Sequence, residues 1–317
     1  CIEGCLGLTY KYWKKIVSPI VSACVVTTIG FSLLAVGAKS FGGGYVKDFG
    51  APKYMLVGLI TLVSCIAFSS LAKGFWKQLN VMFGLIVGYI ISLIFGIVDF
   101  SHFTGTINTV GFIALPRVLP YKPIFNPGAI LSVALIFLVS AAETIGDTTA
   151  VVAGGLDRDI TEKEVSGSLA CDGFLSAVSG VFGCMPITSF SQNVGLIAMT
   201  KVVNRFTIMF GALILILAGI FPPVGAFFST LPEPVLGGCT IVMFGTIVVS
   251  GMDMIGKCGF TQRNTIIAAL SISIGIGFTQ TPGIFDYFPK VIGDIFAGNS
   301  VAGVFVLSML LNFVLPK

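Results

Sequence analysis

Charge is what this sequence has least of. Only 10% of its 317 residues are Asp, Glu, Lys or Arg, whereas 55% are hydrophobic and the mean hydropathy is +1.00. Soluble domains carry about 25% charged residues, so a soluble globular domain is excluded. Histidine occurs once, as His102, in a Gly- and Pro-punctuated loop at 99–126 that reads as a connection rather than a proton relay. Among the eight cysteines (Cys1, Cys5, Cys24, Cys65, Cys171, Cys184, Cys239 and Cys258) there is no CxxC pair and none has a histidine partner. Six of them lie in apolar surroundings and read as small buried hydrophobes, not as a disulfide or metal framework. No lysine, arginine or histidine lies within an apolar stretch, which leaves an intramembrane hydrolase without a base and buried acids without an obvious ion-pair partner.

What is present is long apolar sequence. The charge-free stretches 16–38, 54–72, 78–98, 206–232, 234–252, 264–285 and 295–316 each reach the roughly 17–25 residues that cross the hydrocarbon as a helix. Three further spans, at about 127–150, 165–181 and 187–204, are interrupted by polar residues. Short segments of alternating polarity, which a β-barrel needs, do not occur. Ten visible spans predict an all-α polytopic membrane protein. Residues 1–8 read as the tail of an earlier span.

An internal repeat organises these spans. Ser18-Pro19-Ile20-Val21-Ser22-Ala23-Cys24, followed by Gly30, matches Glu233-Pro234-Val235-Leu236-Gly237-Gly238-Cys239, followed by Gly245; Asn80 and Gly84 similarly match Asn299 and Gly303. The two copies begin seven spans apart, so they cross in opposite senses, a pattern many secondary transporters share. The second half holds seven spans and the first only three and a stub, so about four upstream spans are expected outside this sequence. Alternate loops carry 12 and 6 basic residues; the richer set, which includes Lys201, Arg205 and Lys257, is expected to be cytoplasmic.

Three of the fourteen acidic residues stand inside apolar stretches: Glu143, Asp147 and Asp172. A carboxylate at membrane depth is costly, which makes it a functional-site candidate. Glu143 and Asp147 are four apart and share one helix face, beside Thr144, Gly146, Thr148 and Thr149. Asp172 lies in the next span. Beyond it, Gly183-Cys184-Met185-Pro186-Ile187-Thr188-Ser189-Phe190-Ser191-Gln192-Asn193 is uncharged yet broken by Gly and Pro, and does not read as continuous helix. Irregular backbone at membrane depth survives only where protein or a cavity satisfies it. A half-helix opening near Gln192 would aim its positive end at that cavity. The amides of Gln192 and Asn193, with one carboxylate, suit a neutral planar ligand of alternating N–H and C=O groups.

Gln192-Asn193-x-Gly195-x4-Thr200-Lys201 resembles the signature of the nucleobase–ascorbate transporter family, also called nucleobase:cation symporter-2. Ala142-Glu143-Thr144-x2-Asp147 and Asp172 fall where that family carries its other essential acids, and the resemblance runs the length of the chain. It implies a transporter of seven-plus-seven inverted repeats with core and gate domains. About ten of its fourteen spans would be present, with a short strand at 186–191 before the half-helix near residue 192. On that map residues 1–8 end span four and 9–100 are gate spans five to seven. An extracytoplasmic loop follows at 101–126, then core spans eight to eleven at 127–222 and gate spans twelve to fourteen at 223–317.

The resemblance further implies that Glu143 and Gln192 bind a purine with help from Ser191, and that Asn193 shapes affinity. Asp147 and Asp172 would serve proton coupling and helix packing, while Gly195, Thr200 and Lys201 complete the motif. Relatives that move uracil tend to carry an acid in place of Gln192, so xanthine or uric acid is the expected substrate. A uracil permease, or an anion carrier of the same fold, is the alternative. The coupling ion is expected to be H⁺, with Na⁺ as the alternative, and the assembly a homodimer in the cell membrane. No cofactor, metal, nucleic acid or catalytic residue is expected. Ser22-Ala23 departs from the small pair Gly237-Gly238, which bears on packing.

Overall fold

The computed structural model describes residues 1–13, 18–46, 48–125, 127–190, 193, 197, 200–288, 293, 296–298 and 300–316. Among them the regular structure is helical. In chain order it comprises α1 (Ile2–Leu8), α2 (Tyr10–Trp13), α3 (Pro19–Phe41), α4 (Pro52–Leu71), a 3-10 turn (Gly74–Leu79), α5 (Asn80–Ile94), α6 (Ser101–Val110), α7 (Pro127–Leu156), α8 (Glu162–Val181), α9 (Arg205–Ile220), α10 (Pro222–Ser229), α11 (Glu233–Lys257), α12 (Gln262–Thr279) and α13 (Ser300–Val314). The all-helical expectation holds at this level. The short strand expected at 186–191 is corrected: no strand occurs among the described residues, and 184–190 is irregular. A strand exists through a backbone ladder, and here side-chain hydroxyls take those backbone groups instead.

Fewer helices meet the length and hydropathy needed to cross a membrane than the ten spans expected. Among the described residues Pro19–Phe41, Pro52–Leu71, Ile136–Leu156 and Glu233–Lys257 qualify; α9 and α10, bent by 86°, make a fifth if counted as one span. The bend falls at Pro222-Pro223, where the chain has no N–H to continue the helix. Two apolar helices, α5 and α13, have 15 residues each, short of a full crossing. In α8 the window also contains Glu162, Lys163, Glu164 and Asp172. The stretch 99–126, expected as loop, contains α6.

By internal packing the chain divides into two compact units. The first comprises Cys1–Ser32, Val118–Ala198 and Thr246–Lys317; the second comprises Leu33–Arg117 and Met199–Gly245.

In the first unit α1 lies on α8, α8 on α7, and α12 on α13. Its apolar core has three parts: Ile20, Cys24, Ile267, Ala268 and Val304; Val21, Val25, Ala142 and Phe305; and Ala141, Val165 and Leu169. The first part joins α3 to α12 and α13, and the second brings α7 to α3 and α13. The third fixes α7 against α8 and thereby places the acids they carry. Gly30 meets Val248 and Gly251 meets Thr27, so the contacts descend α11 as they climb α3, and the helices run antiparallel here. Arg263 closes the far end, donating to the backbone and side-chain oxygens of Asn312, which also accepts from Ser18 at 3.1 Å.

The second unit packs α4 on α5 and α6 on α10. Gly37 meets Thr240 and Ile241, and Gly237 lies on the backbone of Phe41, again with α3 and α11 antiparallel. A side chain at 237 would drive into that backbone, which explains the glycine there; Ser22 and Ala23, at the matching positions, are themselves buried. All eight cysteines are free thiols. Cys24, Cys65 and Cys239 are buried, and the sulfurs of Cys65 and Cys239 lie 4.0 Å apart between α4 and α11. Asn299, one of the repeat positions, lies outside the described residues.

Candidate functional site

The site grows from a four-residue polar rhythm on two adjacent helices. On α7 it runs Ser140, Glu143-Thr144, Asp147-Thr148; on α8 it runs Ser168, Asp172, Ser176 and Ser179. Positions three or four apart share a helix face, and the apolar contact of Ala141 with Val165 and Leu169 turns the two polar faces together. α8 begins at a capping box: Thr161 and Glu164 bond each other's backbone, and Arg158 pairs with Glu164. The orphan N–H groups of the first turn are thereby satisfied outside the apolar region.

Where the polar faces meet, the hydroxyls serve the acids. Thr144, 1% exposed, donates to Oδ2 of Asp172 at 2.7 Å. Asp172 is itself 8% exposed and Asp147 9%. Thr148 lies 2.8 Å from Ser168 and donates to the carbonyl of Thr144 at 2.6 Å. Glu143 is half-buried on the same face. Hydrogen bonds to charged groups are worth about 1.5–3 kcal/mol, enough to fix the orientation of both aspartates.

After α8 the chain turns at Gly183, whose φ is +70°, and runs back along the helix it has left. Ser179 donates to the carbonyl of Met185 at 2.6 Å. Ser176 accepts from the N–H of Ile187 at 3.1 Å and donates to its carbonyl at 3.0 Å. Thr188 lies 3.2 Å from Ser140, and Ser189 donates to Oδ2 of Asp147 at 2.7 Å. The backbone groups of this irregular stretch are thus satisfied by Ser176 and Ser179, three apart on α8. The hydroxyl-rich character of 183–193 was legible in the sequence; the serines on α8 that receive it were not singled out there. Their signal was the spacing 168, 172, 176, 179.

Asn193 is exposed and its N–H bonds the carbonyl of Phe190 at 2.9 Å. Asn193, Ile197 and Thr200 are helical. Ser191, Gln192 and Gly195 lie outside the described residues. Lys201 is exposed, with φ +54°, and Thr200 accepts weakly from the N–H of Val202 at 3.4 Å. A cleft of about 390 Å³ opens beside Asp147, lined also by Gly146, Ala150, Ser250, Asp253 and Lys257. No group of three or more metal-ligating side chains is placed to hold an ion among the described residues.

One acid was missed. The sequence reading counted three acids in apolar surroundings, but Glu3 on α1 is fully buried as well. Gly4, Gly7 and Gly173 let α1 approach α8 to backbone contact, the small-residue packing typical of membrane helices. That approach sets the backbone of Glu3 and Gly4 against Gly173, the neighbour of Asp172 in the chain.

The family described as Permease family (Xan_ur_permease) matches residues 2–284. Xanthine permease XanQ of Escherichia coli (strain K12) is 34% identical over 96% of this chain and 66% of its own length. Xanthine permease XanP of the same organism is 33% identical over 100% of this chain and 69% of its own. The xanthine permease of Bacillus subtilis (strain 168) is 30% identical over 96% and 69%. The chain belongs to this permease family, the nucleobase–ascorbate transporters. It spans a little under two thirds of the length of XanQ.

Proposed function

We propose that this chain is the larger part of a secondary active transporter that takes up an oxidised purine nucleobase, xanthine or uric acid, together with protons. The observation that carries this reading is the set of acids and hydroxyls gathered around the irregular segment 184–190. Asp147 and Asp172 are each held by a donated hydroxyl, and Glu143 stands on the same face of α7. A carboxylate accepts two N–H bonds from a planar ring, as a purine presents them. Glu143 is the acid assigned to that task, together with Gln192, Ser191 and Asn193 as the family resemblance implies. Asp147 and Asp172 are assigned to the proton, because their oxygens are already engaged by the protein.

Substrate class is supported by the relatives, which are named xanthine permeases. The antiparallel contacts of α3 and α11, within each unit taken separately, support an inverted repeat, as does the Pro, Cys and Gly pattern that both helices carry. Such repeats build transporters in which one bundle rocks about a fixed site. Location in the cell membrane and a homodimeric assembly belong to the same reading.

The test is uptake of labelled xanthine by the full-length protein in a permease-deficient host. Wild-type uptake should collapse with a protonophore, and Glu143→Gln should abolish it while leaving membrane abundance intact. Near-normal uptake by Glu143→Gln would remove Glu143 from the binding site. Uptake that ignores the protonophore and follows a Na⁺ gradient would replace the proton.

A further inference from the structure

Ser176 stands in the last third of α8, 5% exposed, and its hydroxyl is not bonded as other buried hydroxyls of this fold are. A helical serine or threonine can donate to the carbonyl four residues behind it. Thr27, Thr61, Ser92 and Ser271 all do so. Ser176 turns away from its own helix instead. It donates to the carbonyl of Ile187 at 3.0 Å and accepts from the N–H of the same residue at 3.1 Å.

Both functions of one hydroxyl are therefore taken by the backbone of one residue, the first with an N–H after Pro186. The next two residues are tied to the other helix. Thr188 lies 3.2 Å from Ser140, and Ser189 donates to Asp147 at 2.7 Å, both on α7. Side chains can follow a sliding backbone by rotating about their own bonds. A residue held through its N–H and its carbonyl together cannot slide without breaking both bonds. Ser176 is thus the contact that sets the register of this segment. The segment runs straight into the motif: the carbonyl of Phe190 accepts from the N–H of Asn193 at 2.9 Å, with Ser191 and Gln192 between them in the chain.

We propose that Ser176 is a positioning residue for purine affinity: by fixing Ile187 it sets where the backbone delivers Ser191, Gln192 and Asn193 to the substrate. It acts through Ile187 and does not touch the purine. The proposal rests on the transporter reading above, which gives those three residues their task. A slipped segment displaces the binding groups but leaves Asp172 and its bond to Thr144 in place. Affinity is the quantity that depends on Ser176, and turnover is not.

The experiment measures initial xanthine uptake by the full-length protein carrying Ser176→Ala, Ser176→Thr or Ser176→Cys, at known membrane abundance. Ser176→Ala should raise KM about tenfold, the scale of one lost hydrogen bond, with kcat within about threefold of wild type. Ser176→Thr keeps the hydroxyl and should hold KM within about twofold of wild type. A merely structural role lowers abundance or kcat and leaves KM alone. That result, or a wild-type KM in Ser176→Ala, would overturn the proposal. If Ser176→Ala does not reach the membrane, Ser176→Cys carries the test: its thiol is a weaker partner, so KM should rise, and an unchanged KM overturns the proposal. Hydrogen–deuterium exchange of the purified protein reads the contact without transport. The amide of Ile187 should exchange at least about tenfold faster in Ser176→Ala than in wild type, and equal rates refute the anchor. Should wild type take up no xanthine, the transporter reading fails and the role in affinity falls with it, while the exchange result still decides whether Ser176 holds Ile187.

Discussion

Ser189 and Asp147, forty-two residues apart in the chain, are joined by a hydrogen bond of 2.7 Å. One belongs to a stretch with no regular structure and the other to the middle of a thirty-residue helix. The bond fastens the irregular segment to α7 on the side where Asp147 also borders an open cleft.

Ser189→Ala should remove the donor and leave a buried carboxylate oxygen without its partner. At about 1.5–3 kcal/mol for a hydrogen bond to a charged group, initial uptake by the full-length protein should fall about tenfold or more, at unchanged membrane abundance. Ser189→Thr should retain most of the rate. Full activity in Ser189→Ala would show the bond to be incidental to transport.

Thr144 is tested by a pair of variants. Thr144→Val keeps the shape and deletes the hydroxyl that Asp172 accepts from, for an expected loss of about 1–3 kcal/mol. Thermal melting of the detergent-solubilised protein should fall by several degrees. Thr144→Ser should melt close to wild type, because the donor is restored.

Gly173 separates packing from helix propensity. A methyl group there would press on the backbone of Gly4 and Glu3, which cannot yield without moving α1, so Gly173→Ala should destabilise by about 1–3 kcal/mol. Gly167 lies on the same helix with open space around it. Gly167→Ala should be neutral or stabilising by up to about 1 kcal/mol. Equal melting temperatures for the two variants would contradict the close approach of α1 and α8.

Glu164 gives the fold a pH-dependent corner outside the apolar spans. The Arg158 guanidinium, followed by the backbone and side chain of Thr161, holds its carboxyl down at about 2 from an ordinary 4.5. A carboxyl depressed on folding contributes stability that is present above its unfolded value and lost as pH falls through its folded one. Hydrogen exchange at the amides of Thr161 and Glu164 should accelerate between about pH 4.5 and 2 in wild type. In Glu164→Gln it should be fast already at neutral pH and show no such acceleration. The same profile in both proteins would show that this cap does not order the start of α8.

How far the sequence could be read depended on the kind of interaction. Membrane helices declare themselves by composition, because the hydrocarbon rejects charge at every position along a span; the all-helical architecture was legible for that reason. The break found at 184–190 was legible too, since Pro186 cannot continue a helix and Gly183 readily leaves one. What it becomes was not. A strand was expected at 186–191, but whether extended backbone joins a ladder depends on which donors stand opposite. Among the described residues those are Ser176 and Ser179, on the helix the segment has just left.

The acids divide along the same line. Glu143, Asp147 and Asp172 stood out because each interrupts an apolar run. Glu3 sits in a seven-residue helix beside glycines, where no local pattern marks burial. Only the approach of α1 to α8, set by the absence of side chains at Gly4, Gly7 and Gly173, buries it. The sequence alone determined the helical class, the family signature and the acids of α7 and α8, because hydropathy and helical spacing act over a few neighbouring residues. Tertiary structure decided which hydroxyl holds which acid. Those pairings join residues as far apart as 147 and 189, and no short-range pattern encodes a distance between separate elements.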